Sequence, residues 1–269
     1  MWQLATFRKA INTVFSVEVL MSIALVALML VVSNTSVLAN VTATKTISST
    51  GVISENEFTW FDGFENGDNW LLACTRNSVS HPNATKGLNS DHIHSGEYSL
   101  RATTGPVAWW SGCAIVYYEF DFLPESRKIE WELYWYAESG VGQVEFELNT
   151  VDGNEYGNGY WVSAHIVYSF TKEKWFYFKT DVDIVEVPNG SQTLSQDTWH
   201  YLKMEADMYL PEDGFNITSN GKKMTTGEFL HMDYSSHTNH FIIGSIVISG
   251  LDDERSLFLD DVTLKVRKS

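Results

Sequence analysis

Two pairs of glutamates alternate with apolar side chains, Glu130 with Glu132 and Glu145 with Glu147. If these stretches are strands, both members of a pair lie on one face, because side chains alternate along a strand. Two carboxylates across a sheet face could cleave a glycosidic bond, which needs them about 5–5.5 Å apart for retention or about 6.5–9.5 Å apart for inversion. The alternative is that the glutamates are simply the solvated face of a strand.

Aromatic side chains outside the predicted core form the second group of candidates. An aromatic ring can stack on the apolar face of a pyranose while nearby polar groups bind its hydroxyls. The candidates are Trp109, Trp110, Tyr134, Tyr136, Trp161 and Trp175. The Trp109-Trp110 pair follows Pro106, and its exposure is costly unless it meets a ligand or packs under a loop. The alternative for each aromatic is a place in the core, which we expect for Trp70, Trp131, Trp135 and Trp199.

The stretches that carry these residues have the two-residue period of β-strands. Core faces are predicted from this alternation for Trp131, Leu133, Trp135, Val144, Phe146, Leu148 and Phe258. Further alternating stretches cover 160–170, 175–182, 199–208, 240–249 and 256–266, with turn sequences between them. No convincing helical period appears outside the N-terminal segment. The sequence therefore predicts an all-β protein, an antiparallel β-sandwich of the jelly-roll type.

Composition restricts the function classes. The chain has 10 Trp, 12 Tyr and 15 Phe against 18 Lys plus Arg, and its formal net charge is −16. A chain with 44% hydrophobic residues has enough apolar surface to fold, which excludes a disordered polymer. The acidic balance, without a basic cluster, excludes a nucleic-acid partner and an anionic membrane surface.

The N-terminal segment has the pattern of an export signal. Arg8 and Lys9 precede an apolar run from Val19 to Val32, and Val37-Leu38-Ala39 fits a cleavage site. Residues 1–39 are thus a signal peptide or a retained N-terminal anchor helix, and only an uncleaved segment would contact a membrane. Residues 40–56 have a Thr/Ser-rich linker composition, and 57–269 form one domain. We expect the domain to be secreted or at the cell surface.

Export to an oxidising compartment also predicts a disulfide. The chain contains two cysteines, Cys74 and Cys113, and lone pairs of exported cysteines most often bond to each other. A bond across a loop of this length contributes roughly 3–4 kcal/mol in the chain-entropy model.

Several short motifs occur in a characteristic order. They are Phe61-Asp-Gly-Phe-Glu65, His94-Ser-Gly-Glu-Tyr-Ser-Leu100, Trp199-His-Tyr-Leu-Lys203 and Phe258-Leu-Asp-Asp-Val-Thr-Leu264. This order resembles the concanavalin A-like lectin/glucanase superfamily and jelly-roll carbohydrate-binding modules over nearly all of 57–266. The resemblance implies a sandwich fold that serves lectins, hydrolases, lyases and adhesive domains, and therefore no particular activity.

The resemblance also implies a structural Ca²⁺ between the first and last strands. The ligand candidates are Asp62, Glu65, Asp260 and Asp261. By strand alternation Asp260 shares a face with Phe258 and Val262, and a carboxylate on an inward face needs a partner such as a hard cation. The alternative is that Asp260 accepts hydrogen bonds from backbone N–H groups or water.

For catalysis the resemblance is partial. The polysaccharide lyases of this fold use a Gln-x-His strand and a Tyr-Phe-Lys strand; His165 and Tyr177-Phe178-Lys179 are similar, although the glutamine is absent. The E-x-D-x-x-E strand of the glucanases does not occur. The catalytic candidates are His165, Tyr177, Glu145 and Glu147.

Together these observations favour a protein that binds a polysaccharide or glycan outside the cell and is not an enzyme. A polysaccharide lyase or glycoside hydrolase of the same fold is the alternative. A non-catalytic structural or adhesive surface protein is the second alternative.

Overall fold

The computed structural model describes residues 52–53, 57–73, 75–76, 79–80, 83–107, 110–120, 128–152, 159–179, 183–207, 214–226, 230–234, 240–251 and 253–267. Within these ranges all regular elements are strands. They are β1 (Val52–Ile53), β2 (Glu57–Asp62), β3 (Leu71–Ala73), β4 (Thr75–Arg76), β5 (Val79–Ser80), β6 (Thr85–Asn89), β7 (Ser99–Thr103), β8 (Gly105–Val107), β9 (Trp110–Phe120), β10 (Lys128–Ala137), β11 (Val141–Asp152), β12 (Gly159–Ser169), β13 (Lys174–Phe178), β14 (Ile184–Ser191), β15 (Trp199–Asp207), β16 (Phe215–Ser219), β17 (Lys222–Thr225), β18 (Leu230–Tyr234), β19 (His240–Leu251) and β20 (Ser256–Arg267).

The strands form two large antiparallel sheets. Sheet A has the order β1-β2-β20-β10-β15-β16-β17, with β7 beside β20 and β6 beside β7. Sheet B has the order β14-β13-β12-β11-β19-β9-β3, with β18 beside β12 and β8 beside β9. The short strands β4 and β5 pair with each other. This arrangement confirms the predicted antiparallel β-sandwich.

The core lies between the sheets, where strand alternation directs one side chain in two inwards. Trp131, Leu133 and Trp135 of β10 are fully buried, and so is Phe146 of β11. They belong to one continuous apolar cluster that both sheets supply. Each large side chain of this kind stabilises the fold by roughly 1.5–3 kcal/mol. The alternation of aromatic and polar residues therefore identified this part of the core correctly.

A β-bulge in β20 changes which residues face the core. The register between β20 and β10 shifts beside Tyr134, and Asp261 adopts the left-handed conformation with a φ of 49°. The additional residue reverses the alternation, so that Leu259 and Val262 both lie in the inter-sheet core. Phe258 is buried instead under rings on the outer side of sheet A. The prediction that Phe258 belongs to the inter-sheet core is wrong, because counting by twos assumed no bulge.

The N-terminal predictions lie largely outside the described residues. Residues 1–39, the predicted signal peptide or anchor helix, lie outside the described residues. The end of the predicted linker contributes β1, in which Val52 pairs with Thr59 of β2. Among the described residues no helix is long and apolar enough to cross a membrane.

Candidate functional sites on the two outer faces

The predicted site residues lie on two opposite surfaces of the sandwich. Tyr134 and Tyr136 belong to β10 and point away from the core on sheet A. Glu145 and Glu147 of β11, with His165 of β12, alternate with core residues of sheet B and lie on its outer face. The tyrosines and the glutamates therefore lie on different faces, because β10 and β11 belong to different sheets.

On sheet A six rings form what we call the aromatic platform. Its members are His92, His94, Tyr134, Tyr136, Trp199 and Tyr201, all of them partly or largely exposed. The ring centroids of His94 and Tyr134 are 3.6 Å apart, and those of Tyr136 and Trp199 are 5.8 Å apart. His92 stacks on Tyr136 at 4.7 Å, and Tyr201 lies 5.4 Å from Tyr134. The platform thus combines two strands with a loop into one continuous aromatic surface.

Asp260 holds the loop that carries the two histidines. Its Oδ2 accepts hydrogen bonds from the backbone N–H groups of His94 (2.8 Å) and Ser95 (3.1 Å), and its Oδ1 accepts one from Asp261 (2.8 Å). Burial raises the pKa of Asp260, while these three donors oppose that shift. Asp261 adds a contact of 2.7 Å between its Oδ2 and His94 Nδ1. The bulge in β20 therefore positions the platform loop.

Carboxylates also fix two hydroxyl groups of the platform. Tyr136 donates its hydroxyl to Asp197 at 3.3 Å, and Tyr201 donates to Glu132 at 2.9 Å. Burial and the adjacent carboxylate raise the pKa of both phenols, so both remain protonated near neutral pH. Hydrogen bonds from Ser139 hold the pKa of Asp197 below its usual range, so Asp197 is an exposed carboxylate acceptor beside the rings.

Trp199 is a platform residue that the sequence reading placed in the core. Along β15 the buried positions are His200, Leu202 and Met204, which leaves Trp199 half-buried on the outer face. The alternation of Trp199 with the buried Leu202 and Met204 indicates this outward direction, whereas the large apolar side chain favoured a place in the core. His200 takes the inward place as a neutral ring: Nε2 donates to the carbonyl of Ser195, and Nδ1 accepts from Asn220.

On sheet B a buried group of three residues forms what we call the Glu–His–Glu cluster. His165 Nε2 lies 3.1 Å from Glu145 Oε2, and its Nδ1 lies 3.9 Å from Glu147 Oε2. The exposed fractions are 0% for His165, 2% for Glu145 and 4% for Glu147. Gly244 lies opposite Glu147, and a Cβ there would come within 2.8 Å of Glu147 Oε1. A larger residue at this position would therefore require the carboxylate of Glu147 to move.

The surroundings of this cluster add further groups that the sequence did not suggest. Phe178 stacks on His165 with 4.1 Å between the ring centroids. Tyr117 lies in the same cross-strand row, opposite Gly244, and burial together with the charge of Glu119 raises the pKa of its phenol. An imidazole between two carboxylates can hold or transfer a proton. The same arrangement also satisfies a buried charge without any catalytic role.

Two predicted site residues lie in the core instead. Tyr177 pairs with Ile166, and both face the inter-sheet core, so Phe178 rather than Tyr177 contacts His165. Trp175 is fully buried among core aromatics and donates its indole N–H to Gln192 at 3.2 Å. Neither side chain belongs to an outer face. In both cases the pairing of β13 with β12 determines which face of sheet B the side chain joins, and the sequence of β13 alone does not predict that pairing.

Three other predicted ligand residues cannot be placed. Trp109 lies outside the described residues, and for Trp110 and Trp161 only the backbone is described, in β9 and β12. The predicted disulfide also stays a prediction: Cys113 is buried, whereas Cys74 lies outside the described residues. Cys74 directly follows β3 in the sequence, and Ala73 of β3 pairs with Ile115.

The carboxylates of the four calcium candidates all accept hydrogen bonds from groups of the protein. Asp62 accepts hydrogen bonds from the backbone of Phe64 and from the indole of Trp70, and Glu65 Oε1 accepts from the backbone N–H groups of Glu97 and Tyr98. Within the described part of the chain, no three His, Cys, Asp or Glu side chains come together as metal ligands. These contacts match the alternative in which Asp260 accepts backbone N–H groups, and calcium binding stays a prediction.

Comparisons with known proteins give remote structural similarity. No family model matches the sequence, and no curated protein matches it. An endo-β-1,4-glucuronan lyase from Trichoderma reesei is 11% identical with a TM-score of 0.47, covering 80% of this chain and 96% of the lyase. A Bacillus licheniformis β-glucanase is 10% identical with a TM-score of 0.43, covering 78% and 98%. A xylan-binding domain from Paenibacillus barcinonensis is 12% identical with a TM-score of 0.38, covering 78% and 94%. The sandwich assignment rests on the two sheets described above.

Proposed function

We propose that the protein is a glycan-binding protein and that the aromatic platform on sheet A is its binding surface. The observation that carries this proposal is the continuous set of six rings on the outer side of sheet A, of which His94 is exposed and the other five are half-buried. A contiguous group of partly exposed rings has a solvation cost, and such a group on a folded domain is typical of a binding site.

The chemistry of the platform suits a sugar ring. Trp199 and Tyr136 are neighbouring rings with centroids 5.8 Å apart, and a half-buried indole such as Trp199 can stack on the C–H face of a pyranose. Asp197 lies beside Tyr136, is exposed, and can accept hydrogen bonds from sugar hydroxyls. The loop histidines border the same surface and are fixed by Asp260 and Asp261 before any ligand arrives, which lowers the entropy cost of binding.

Affinity electrophoresis of the purified protein through gels that contain different polysaccharides tests the proposal. We expect retardation by at least one polysaccharide, and we expect Trp199→Ala to weaken it roughly tenfold or more, as for a central aromatic contact. Phe176→Ala is the matched control, because Phe176 is a half-buried aromatic on the opposite outer face. A wild-type protein that no polysaccharide retards contradicts the proposal, and so does retardation that Phe176→Ala abolishes and Trp199→Ala leaves intact.

Glycan cleavage at the Glu–His–Glu cluster is the second candidate function. It is favoured by one observation, the imidazole of His165 between the carboxylates of Glu145 and Glu147. Release of reducing ends and appearance of unsaturated uronate products over neutral and acidic glycans would detect hydrolase and lyase activity. His165→Ala should abolish such turnover while glycan retardation persists. Absence of turnover from the wild type leaves the binding function alone.

A further inference from the structure

We infer that the platform binds neutral glycans and rejects polymers of uronic acids or sulfated sugars. This inference rests on the proposed binding function and adds the class of ligand. It follows from the charges on and around the platform.

The rim of the platform is anionic. Asp197 and Asp91 are exposed, and Asp261 lies beside His94 with its carboxylate one-fifth exposed. The pKa of Asp197 is held below its usual range by its contact with Ser139, so this carboxylate stays charged in mildly acidic surroundings. A carboxylate or sulfate on a sugar that stacks on Trp199 would therefore approach like charges. Such juxtaposition at an interface is strongly unfavourable.

Three cations on the outer face of sheet A form ion pairs with protein carboxylates. On the same face of sheet A, Lys203 lies 3.0 Å from Glu130, and Lys265 lies 3.6 Å from Glu132. Arg267 lies 2.8 Å from Glu130. Burying one of these pairs under an anionic ligand would exchange an existing ion pair for a new one, so it brings little gain.

Arg101 of β7 pairs with Phe258 of β20, so it projects from the same outer face of sheet A, where it is exposed. Arg101 donates its Nε–H to Ser256 at 2.9 Å, and its guanidinium lies 5.8 Å from the ring of Phe258. Phe258 itself is fully buried beneath His92 and Tyr136. The guanidinium therefore lies at the β7 end of the cross-strand row that runs through Phe258 and Tyr136 to Trp199, and two strands separate it from the acidic rim at Asp197. The formal net charge of −16 adds long-range repulsion of polyanions.

Neutral hydroxyls, in contrast, match the groups that the platform offers. Exposed carboxylate oxygens are strong acceptors for hydroxyl donors, and the tyrosine and tryptophan faces need no charge on the ligand. Binding to a neutral polymer should also be nearly independent of salt, because no ion pair is formed with it.

The test compares neutral polysaccharides (xylan, mannan and β-glucan) with acidic ones (polygalacturonate and carrageenan) in affinity electrophoresis. The purified protein is run through each gel at a low and at a high salt concentration. We expect retardation by a neutral polymer at both salt concentrations, and binding to every acidic polymer about tenfold weaker or more. Asp197→Asn then tests whether the acidic rim is the cause, and Asn tolerates the positive φ of 56° at this position. This variant should gain affinity for acidic polymers.

The outcomes separate the two proposals. Tight binding of an acidic polymer that Trp199→Ala removes would overturn the inference and leave the proposed binding function standing. An Asp197→Asn protein that still binds every acidic polymer as weakly as the wild type would also overturn it, because the acidic rim would then not be the cause. No retardation by any polymer would overturn the proposed function, and the inference with it.

Discussion

The anchoring of the platform loop by Asp260 leads to a quantitative prediction. The side chain of Asp260 is fully buried and accepts three backbone hydrogen bonds, two of them from the loop between β6 and β7. Asp260→Ala removes both acceptor oxygens and leaves three backbone N–H donors without this partner. At a net cost of ~1 kcal/mol for each bond, we expect a loss of about 3 kcal/mol in the free energy of unfolding. For a domain of this size that corresponds to a fall of roughly 6–12 °C in Tm.

The same substitution should affect binding, because His92 and His94 lie on the released loop. We expect about tenfold weaker retardation on the polysaccharide that the wild type binds, because the loop must then be ordered by the ligand. Asp260→Asn keeps one acceptor oxygen and should lie between the wild type and Asp260→Ala in both measurements. Glu97→Gln changes an exposed carboxylate of the same loop, keeps its backbone N–H, and serves as the control.

Thermal unfolding followed by circular dichroism, together with affinity electrophoresis on folded protein well below Tm, measures both effects. A Tm for Asp260→Ala within about 2 °C of the wild type would refute the hydrogen-bond reasoning, since it requires a change of at least three times that size. A normal loss of stability with unchanged glycan affinity would show that the loop histidines do not take part in binding.

Burial lowers the pKa of His200, so the stability that the neutral ring contributes should be complete above about pH 6.5 and lost as the pH falls through the lower folded-state pKa. His200→Gln should therefore flatten the acid limb of a curve of Tm against pH. An unchanged acid limb would contradict this prediction. Trp175→Ala should cost about 3–5 kcal/mol of unfolding free energy as a core truncation, whereas Trp199→Ala should leave stability nearly unchanged, and urea titrations that show equal losses would argue against this division. The predicted bond between Cys74 and Cys113 should make Tm sensitive to reductant by the equivalent of roughly 3–4 kcal/mol; identical unfolding curves with and without reductant would exclude it. If the carboxylates of the first and last strands bind Ca²⁺, calcium should raise Tm above its value in chelator, and equal melting in both solutions would count against a calcium site.

The alternation of residue types identified much of the fold because each strand carries its own evidence. Trp131, Leu133 and Trp135 face the core, as predicted, since a two-residue period and one buried face are local properties of a strand. The same logic placed Tyr134 and Glu145 correctly on outer faces. It was wrong where a local irregularity changed the count, at the Asp261 bulge before which Phe258 turns outwards.

What the sequence by itself determined is therefore the all-β class, the two populations of aromatic side chains and the outward direction of the paired glutamates. Only the tertiary structure decided that Tyr134 and Glu145 lie on opposite surfaces, because that depends on which sheet each strand joins. It also decided that His94 meets Tyr134, a contact between residues of a loop and a strand that Asp260 brings together. Hydrogen bonds between distant segments set these relations, and no local pattern of residue types records which segments will pair.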